Sequence, residues 1–547
     1  GIDYRFPLPV WLYALAAGLA VLLSAPAATL AGRASGTRTS GDLYGPLRGF
    51  HLGWIAVALA SLLLVDVVAG GLFGPEDFFE NPATIVLWVD FWVGLGIVSA
   101  LVGNVWDFVS PLNAAGRFLE RTLARRGASV TPYPTRLGLW PATVFLLVWS
   151  WLELVWDPGK EPRTLVLILL AYIAIQLLAM VTFGTELWLA RGELFTVVAR
   201  TFARFAPLEL YVREPAGECR ALLCTDEERI GCPSCWLDAT PEARGLRLRP
   251  FGAGVRREAP LGPGGGTFVL ALLATVVYDG FSQTQTYVDF QSWFVDRWVW
   301  LAVHDSFLDT VLMAAIVAGF VLAFLAVVGL VSRLEHASLA DAARRYSPTL
   351  IPIAAVYFVS HYFLFLIYAG QFTTAAVLDP FGREWVPDVE VPWTGVPGGL
   401  VWYLQVGLIV WGHVVAVFEA IGELSLLLNR IVNPIVMLLM YRVLQLLAGA
   451  IHYERFDFSR PVMFMGHSVT IRKESAEKFK SMADIDKPGV TIATVLGTSG
   501  HEYMKQNFKN ATIRALDTGD LTQDSLEVLA GRADAALQDA FKIAQVV

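Results

Sequence analysis

Stretches of about twenty mainly apolar residues recur ten times in this sequence, and a chain built that way has few ways to fold. Inside hydrocarbon every backbone N–H and C=O must be satisfied by the protein itself, so such stretches become membrane-crossing helices. The ten are Leu8–Leu30, Leu52–Phe73, Thr84–Val105, Leu137–Trp156, Thr164–Phe183, Thr267–Tyr287, Leu308–Val331, Leu350–Ala369, Gly399–Ile421 and Ile431–Ile451. Composition agrees with the pattern: 55% of the residues are hydrophobic and only 16% charged, where a soluble domain carries roughly a quarter. The 18 Trp and 33 Phe suit lipid-facing surfaces and interfacial belts. A net charge of −8 gives no basic footprint, so nucleic acid is not an expected partner. Gly1 in place of an initiator Met reads as a processed N-terminus, with no cleavable signal peptide.

Lysine marks a boundary. Lys160 is the only lysine before position 460, and the other seven fall between Lys473 and Lys542. The chain therefore divides into a polytopic membrane domain, 1–455, and a lobe at 460–547, which also fits a join between segments of different origin. Loop charge sets the orientation. One set of loops carries Arg33, Arg38, Arg48, Arg117, Arg121, Arg125, Arg126, Arg136, Arg333, Arg344, Arg345 and Arg430, twelve in all. The opposite set has Lys160, Arg163, Arg297 and Arg383, four in all, among acids such as Glu76, Asp77, Glu80, Asp388 and Glu390. The positive-inside rule makes the Arg-rich loops cytoplasmic, which places the N- and C-termini outside the cell.

In the C-terminal lobe the pattern changes to short strands alternating with helices. Strands are expected at His467–Arg472, Val490–Val495, Thr512–Leu516 and Ala533–Gln538, and helices at Ala476–Met482, Gly500–Asn507 and Thr522–Leu529. Such alternation predicts a small α/β lobe with a parallel sheet. The turn from Leu496 to Gly500 leaves a strand and opens a helix, which suits an anion. Val469-Thr470-Ile471-Arg472-Lys473, Phe479 to Ile485, Lys487-Pro488-Gly489-Val490, Gly497-Thr498 and Leu529-Ala530-Gly531-Arg532-Ala533-Asp534-Ala535 together resemble the solute-binding proteins of amino-acid ABC transporters. The resemblance covers their second lobe only. It implies that Thr498 and Ser499 hold a ligand carboxylate and that Asp539 holds the amino group.

The membrane domain carries a second resemblance. Pro132 to Ala142, Trp151-Leu152-Glu153-Leu154-Val155, Pro162-Arg163-Thr164, Arg244 to Gly254 and Tyr278-Asp279-Gly280-Phe281 look like bacterial membrane proteins described as fenitrothion hydrolase. This implies a shared fold, a bacterial cytoplasmic membrane and, loosely, hydrolysis. The sequence has no Gly-x-Ser-x-Gly elbow, His-Glu-x-x-His pair or Walker A loop to make an enzymatic activity concrete.

Charged and imidazole groups within apolar spans are functional candidates because burying them is costly. They are Asp66, Asp90, Asp279, His361, His413, Glu419 and Arg442. His361 and His413 lie near the middle of successive spans, where two imidazoles could bind haem or another metal, relay protons or contact a polar substrate. Packing between helices is the plain alternative.

Four cysteines, Cys219, Cys224, Cys232 and Cys235, share the loop 184–266. In a cytoplasmic loop their spacing suits a structural zinc. Two disulfides fit if the loop lies outside, and a redox-active pair is a third option. The reading that follows is a membrane component of a small-solute uptake or sensing system, an amino acid being the solute that the lobe's resemblance implies. The alternatives are a membrane-embedded metal- or haem-dependent enzyme using His361, His413 and Asp279, and a structural subunit assembling with other membrane proteins.

Overall fold

The computed structural model describes residues 51–127, 129–212, 233–240, 243–258, 261–298, 306–386, 398–423, 467–475, 478–479, 481–495, 499–516 and 523–539. The chain forms two compact units, 1–456 and 457–547.

The first unit is helical. Its main helices are α1 (His51–Phe73), α2 (Pro82–Leu101), α3 (Trp140–Leu154), α4 (Pro162–Phe183), α5 (Leu194–Ala203), α6 (Gly265–Ser282), α7 (Phe307–Leu334), α8 (Ile351–Ala369) and α9 (Gly398–Glu423). Seven helices among the described residues are long and apolar enough to cross a bilayer, so the chain is a multi-pass membrane protein. They match seven of the ten expected spans. Leu137–Trp156 instead yields the 15-residue α3, which is shorter than a full span. Pro141 fixes its first turn, and the chain turns away at Asp157–Lys160 after Val155. Leu8–Leu30 and Ile431–Ile451 lie outside the described residues.

Local chemistry sets several helix ends. Asn81 caps α2 by accepting from the Ala83 N–H at 2.8 Å, while its amide donates to the carbonyls of Gly70 at 3.0 Å and Pro75 at 2.6 Å. Within α2, Ile85–Val93 widens into a π-helix, a form concentrated at functional sites. Glu193, fully buried, caps α5 through the Phe195 and Thr196 N–H groups and also accepts the Tyr172 hydroxyl at 2.5 Å. Helices α2, α6 and α8 supply much of the core. Small residues let them close up: a Cβ at Gly96 would strike the Phe358 ring, and one at Gly412 would strike Val356.

Between α5 and α6 the chain forms an antiparallel hairpin, β1 (Leu208–Val212) with β2 (Arg244–Leu248).

The second unit is a four-stranded sheet of β3 (His467–Ile471), β4 (Thr491–Val495), β5 (Thr512–Leu516) and β6 (Ala535–Asp539), in the order β3-β6-β4-β5. Helices α10 (Ser499–Asn507) and α11 (Gln523–Leu529) make the crossovers. The expected all-parallel sheet is corrected to a mixed one. β4 runs parallel to β5 and β6, but β3 is antiparallel to β6. No crossover helix ties β3 to β6, so nothing forces the two into the same direction. Of the helix expected at Ala476–Met482, residues 476, 477 and 480 lie outside the described residues; the described ones form a 3₁₀ turn at Lys473–Ser475 before it and a short helix that begins at its last residue, Met482–Ile485. Asp484 explains the later start, since its carboxylate accepts from the Ser481 N–H at 3.0 Å and hydroxyl at 2.9 Å.

Candidate functional site

Tyr278 and Asp279 stand in the last turns of α6, and both residues enter polar groups within the bundle. Asp279 Oδ2 lies 3.0 Å from His361 Nε2 and accepts the Tyr362 hydroxyl at 2.8 Å. Both partners come from α8, where neighbouring positions 361 and 362 bracket the carboxylate. The pair is largely enclosed, with side-chain exposures of 18% for His361 and 15% for Asp279. An ionised carboxylate only accepts hydrogen bonds, so the Asp279 geometry calls for a proton on His361 Nε2. Around this centre stand Glu153 from α3, within electrostatic reach of Asp279, and Tyr357 from α8.

Tyr278 turns to a second carboxylate, Asp309 at the start of α7, which Tyr287 also contacts. Beside it the Trp151 indole donates to Thr310 Oγ1 at 2.8 Å. Three carboxyl groups, one imidazole and several phenols therefore gather where α3, α6, α7 and α8 meet. Lys160 and Asp157, paired at 2.8 Å and solvent-exposed, lie in the turn after α3.

The other sequence candidates are dispersed. Asp90, in the π-helical segment of α2, accepts the Thr373 hydroxyl at 2.7 Å. Asp66 sits half-buried in α1 with an enclosed Oδ2 that makes no hydrogen bond among the described residues. His413 Nδ1 faces its own helix, 2.7 Å from the Ile409 carbonyl. Glu419 is buried in α9, near Gly252. Arg442 lies outside the described residues.

His361 and His413 do not pair. Helices α8 and α9 run antiparallel, with Gln405 bonded to the Ser360 carbonyl at 3.0 Å and Gly412 packed on Pro352 and Val356. His413 thus lies about 12 Å along the axis from the level of His361, at 1.5 Å per residue. Among the described residues no group of three His, Cys, Asp or Glu side chains is arranged to hold a metal.

Glu153 and Asp309 escaped the sequence reading. Glu153 lies in an apolar run and could have been found by the rule that found Asp279. Asp309 stands at a span's first turn, where an acid ordinarily reads as a favourable helix start.

A second polar network occupies the stretch between α5 and α6. Arg249, fully buried, donates to Glu209 at 2.8 Å, to Glu258 at 3.2 Å and to the carbonyls of Ala206 at 3.0 Å and Ala203 at 2.7 Å. Arg247 pairs with Glu209 as well, and Arg204 with Glu258 at 3.5 Å. Burial pushes the Glu209 carboxyl up, but Arg247 and Arg249 outweigh it and hold the group below its ordinary value. Nearby, Arg200 grips Asp107 through two nitrogens at 2.8 and 3.0 Å. The network fastens the hairpin to the ends of α2 and α5.

Of the cysteines, Cys235 is buried and disulfide-bonded, a state in which its sulfur offers no thiolate to a zinc ion. Cys219, Cys224 and Cys232 lie outside the described residues, as does Thr498. Ser499 opens α10, and Asp539 ends β6 opposite His467.

No protein-family model matches the chain, and no curated protein matches it. The resemblance of residues 1–450 to fenitrothion hydrolase gains no support from either comparison. Among solved structures, the chain is similar to an ancestral amino acid-binding protein, AncCDT-1, a precursor of cyclohexadienyl dehydratase. The identity is 37%, over 15% of this chain and 36% of that one, with a TM-score of 0.14. The chain thus spans about a third of that protein's length.

Proposed function

We propose that this chain is the membrane component of a small-solute uptake or sensing system, and that Asp279, His361 and Tyr362 form its proton-exchanging centre. The single observation behind the proposal is the shared Asp279 oxygen, held at 3.0 Å from an imidazole and 2.8 Å from a phenol inside an apolar bundle. With neutral His361 the pair carries one net negative charge. A proton taken up on the other ring nitrogen makes it a neutral ion pair. Gain and loss of that proton can therefore be coupled to the entry of a polar solute. Glu153 adds a second acid to the same centre. In the C-terminal lobe, by its resemblance to solute-binding proteins, Thr498, Ser499 and Asp539 would contact an amino acid.

The test is purified protein in liposomes loaded with a pH-sensitive dye, challenged with a mixture of tritiated L-amino acids. The expected result is label uptake accompanied by acidification and accelerated by an inward proton gradient. Uptake indifferent to that gradient would refute the proton-exchanging role, and no uptake or binding of any amino acid would refute the solute reading.

A further inference from the structure

Between α2 and α3 the chain makes a further helix, Pro111–Ala124. Pro111 opens it, and the Ser110 hydroxyl caps it by accepting the Asn113 N–H at 3.2 Å. Its inner side is seated on the end of α4. A Cβ at Gly116 would strike the Met180 sulfur, and Leu112 packs against the cluster of Met180, Trp188 and Leu189. The Glu120 carboxylate accepts the Thr185 N–H at 3.1 Å. Helix α4 crosses the bilayer and ends at Phe183, so the helix Pro111–Ala124 lies level with the place where α4 leaves the hydrocarbon.

The outer side is basic and carries one aromatic ring. Phe118 is 69% exposed, and Arg121, Arg125 and Arg126 are exposed with it. Spacings of three and four residues put Phe118, Arg121 and Arg125 on one face. From Pro111 to Arg136 the sequence holds five arginines and one acid, in a chain whose net charge is −8. That acid is Glu120, which is turned to Thr185. Arg117 donates through Nε to Asn113 Oδ1 at 2.8 Å, and Arg121, Arg125 and Arg126 form no ion pair among the described residues. Arg117, Arg121 and Arg125 recur every fourth residue, a spacing at which like charges repel.

The connection between α7 and α8 is also rich in arginine, but there Arg344 pairs with Asp341, and Arg345 with Glu335 at 3.4 Å. An excess of arginine in a loop therefore does not by itself leave the guanidinium groups without acids. The helix dipole favours cations in the last turn, which suits Arg121 and Arg125 but leaves the outward Phe118 unexplained. An exposed ring beside exposed arginines, at the level where a span ends, is complementary to a phospholipid with an anionic headgroup. The ring enters the acyl boundary while the guanidinium groups take phosphate oxygens.

We propose that the outer side of the helix Pro111–Ala124 is a docking surface for anionic phospholipid of the leaflet in which it lies. Arg121, Arg125 and Arg126 hold the headgroup, and Phe118 sits among the acyl chains. This surface is separate from the proton-exchanging centre and does not depend on it.

The test uses the full-length protein in detergent micelles, with phosphatidylglycerol or phosphatidylcholine titrated in and the retained lipid counted by native mass spectrometry. The double variant Arg121→Gln, Arg125→Gln is compared with Arg344→Gln, Arg345→Gln, which removes the same charge from arginines that have acid partners. Wild type is expected to hold phosphatidylglycerol at least about tenfold more tightly than phosphatidylcholine. The first double variant is expected to lose that preference by about tenfold or more, and the second to bind as wild type does. Equal losses in the two double variants, or no preference in wild type, overturn the surface. Thermal unfolding in lipid-free detergent is followed alongside and is expected to be unchanged in the first double variant. A fall of several degrees would show that the guanidinium groups already have a partner in the protein, and would also overturn it. Inorganic phosphate that raises the Tm of wild type as much as phosphatidylglycerol does, and not that of the first double variant, would assign the arginines to a soluble anion and overturn the lipid.

Discussion

Asp279 joins two side chains that differ in what they contribute. His361 brings a ring with two nitrogens, one of them turned to the carboxylate, while Tyr362 brings a hydroxyl that donates to it. Tyr362→Phe should leave the imidazole pair in place and remove one buried hydrogen bond, lowering stability by about 1.5–3 kcal/mol because the acceptor is ionised. Chemical or thermal unfolding in detergent measures it; an unchanged midpoint would mean that the hydroxyl does not bond Asp279. Glu193 is a purely structural counterpart. It caps α5 and accepts from Tyr172, so Glu193→Ala should destabilise the fold by about 2 kcal/mol or more, with solute-coupled proton movement otherwise retained in the folded fraction. The polar centre was partly legible in the sequence. Asp279 and His361 stood out as charges within apolar runs, but their pairing did not, because it joins positions 82 apart. His413 drew equal suspicion, yet it satisfies its ring on the Ile409 carbonyl of its own helix. Spacing along a sequence cannot tell a histidine that turns inward to a partner helix from one that bonds its own backbone.

Helix α2 does two things at once. Its widened middle carries Trp88, Asp90 and Trp92, and its later part approaches α8 closely at Gly96. A side chain at Gly96 would overlap the Phe358 ring, which itself lies 5.7 Å from Trp92 and 4.8 Å from Tyr362. Gly96→Val should therefore cost about 1–3 kcal/mol by overpacking, and should also disturb the centre through Phe358. The check is Tm together with solute-coupled proton movement: loss of both is expected, and a Tm equal to wild type would mean that α2 and α8 have room to spare. Helix existence was readable from runs of apolar residues, since backbone satisfaction in hydrocarbon leaves little choice. The π-helical segment was not, because it carries no proline or glycine to announce it. The hairpin between α5 and α6 was equally hidden: its pairing is fixed by Arg247 and Arg249 on Glu209, and charges in a loop read as ordinary solvent-facing groups.

The molecule combines a membrane-crossing unit with a small α/β unit, and the two obey different rules. Apolar length determines the first, and turn chemistry the second. In the lobe, the Asp486 carboxylate collects the backbone N–H groups of Asn510 at 2.7 Å, Ala511 at 2.9 Å and Lys509 at 3.1 Å. The Asn510 N–H, with Ala511 and Lys509, holds the carboxyl below its ordinary value despite some burial. A carboxyl depressed in the folded state stabilises it fully above the unfolded value of about 4, and that contribution is lost as pH falls through the lower folded value. Asp486→Asn should accordingly weaken the lobe at pH 7, with the difference from wild type shrinking below about pH 4. Limited proteolysis of the lobe in the full-length protein across that range measures it, and a difference that stays constant with pH would contradict the assignment. Strand positions in the lobe were legible from turn residues and alternation. The antiparallel β3 was not, because strand direction is set by long-range pairing that local pattern does not encode.

The central claim is that the Asp279 carboxylate, with His361, moves a proton when solute moves. Asp279→Asn keeps the size of the side chain and removes its charge, so comparing this variant with wild type in the dye-loaded liposomes tests the claim most directly. At equal helical content by circular dichroism, solute-coupled acidification is expected to fall at least about tenfold, the equivalent of some 1.4 kcal/mol. Acidification at the wild-type rate in the Asn variant would contradict it.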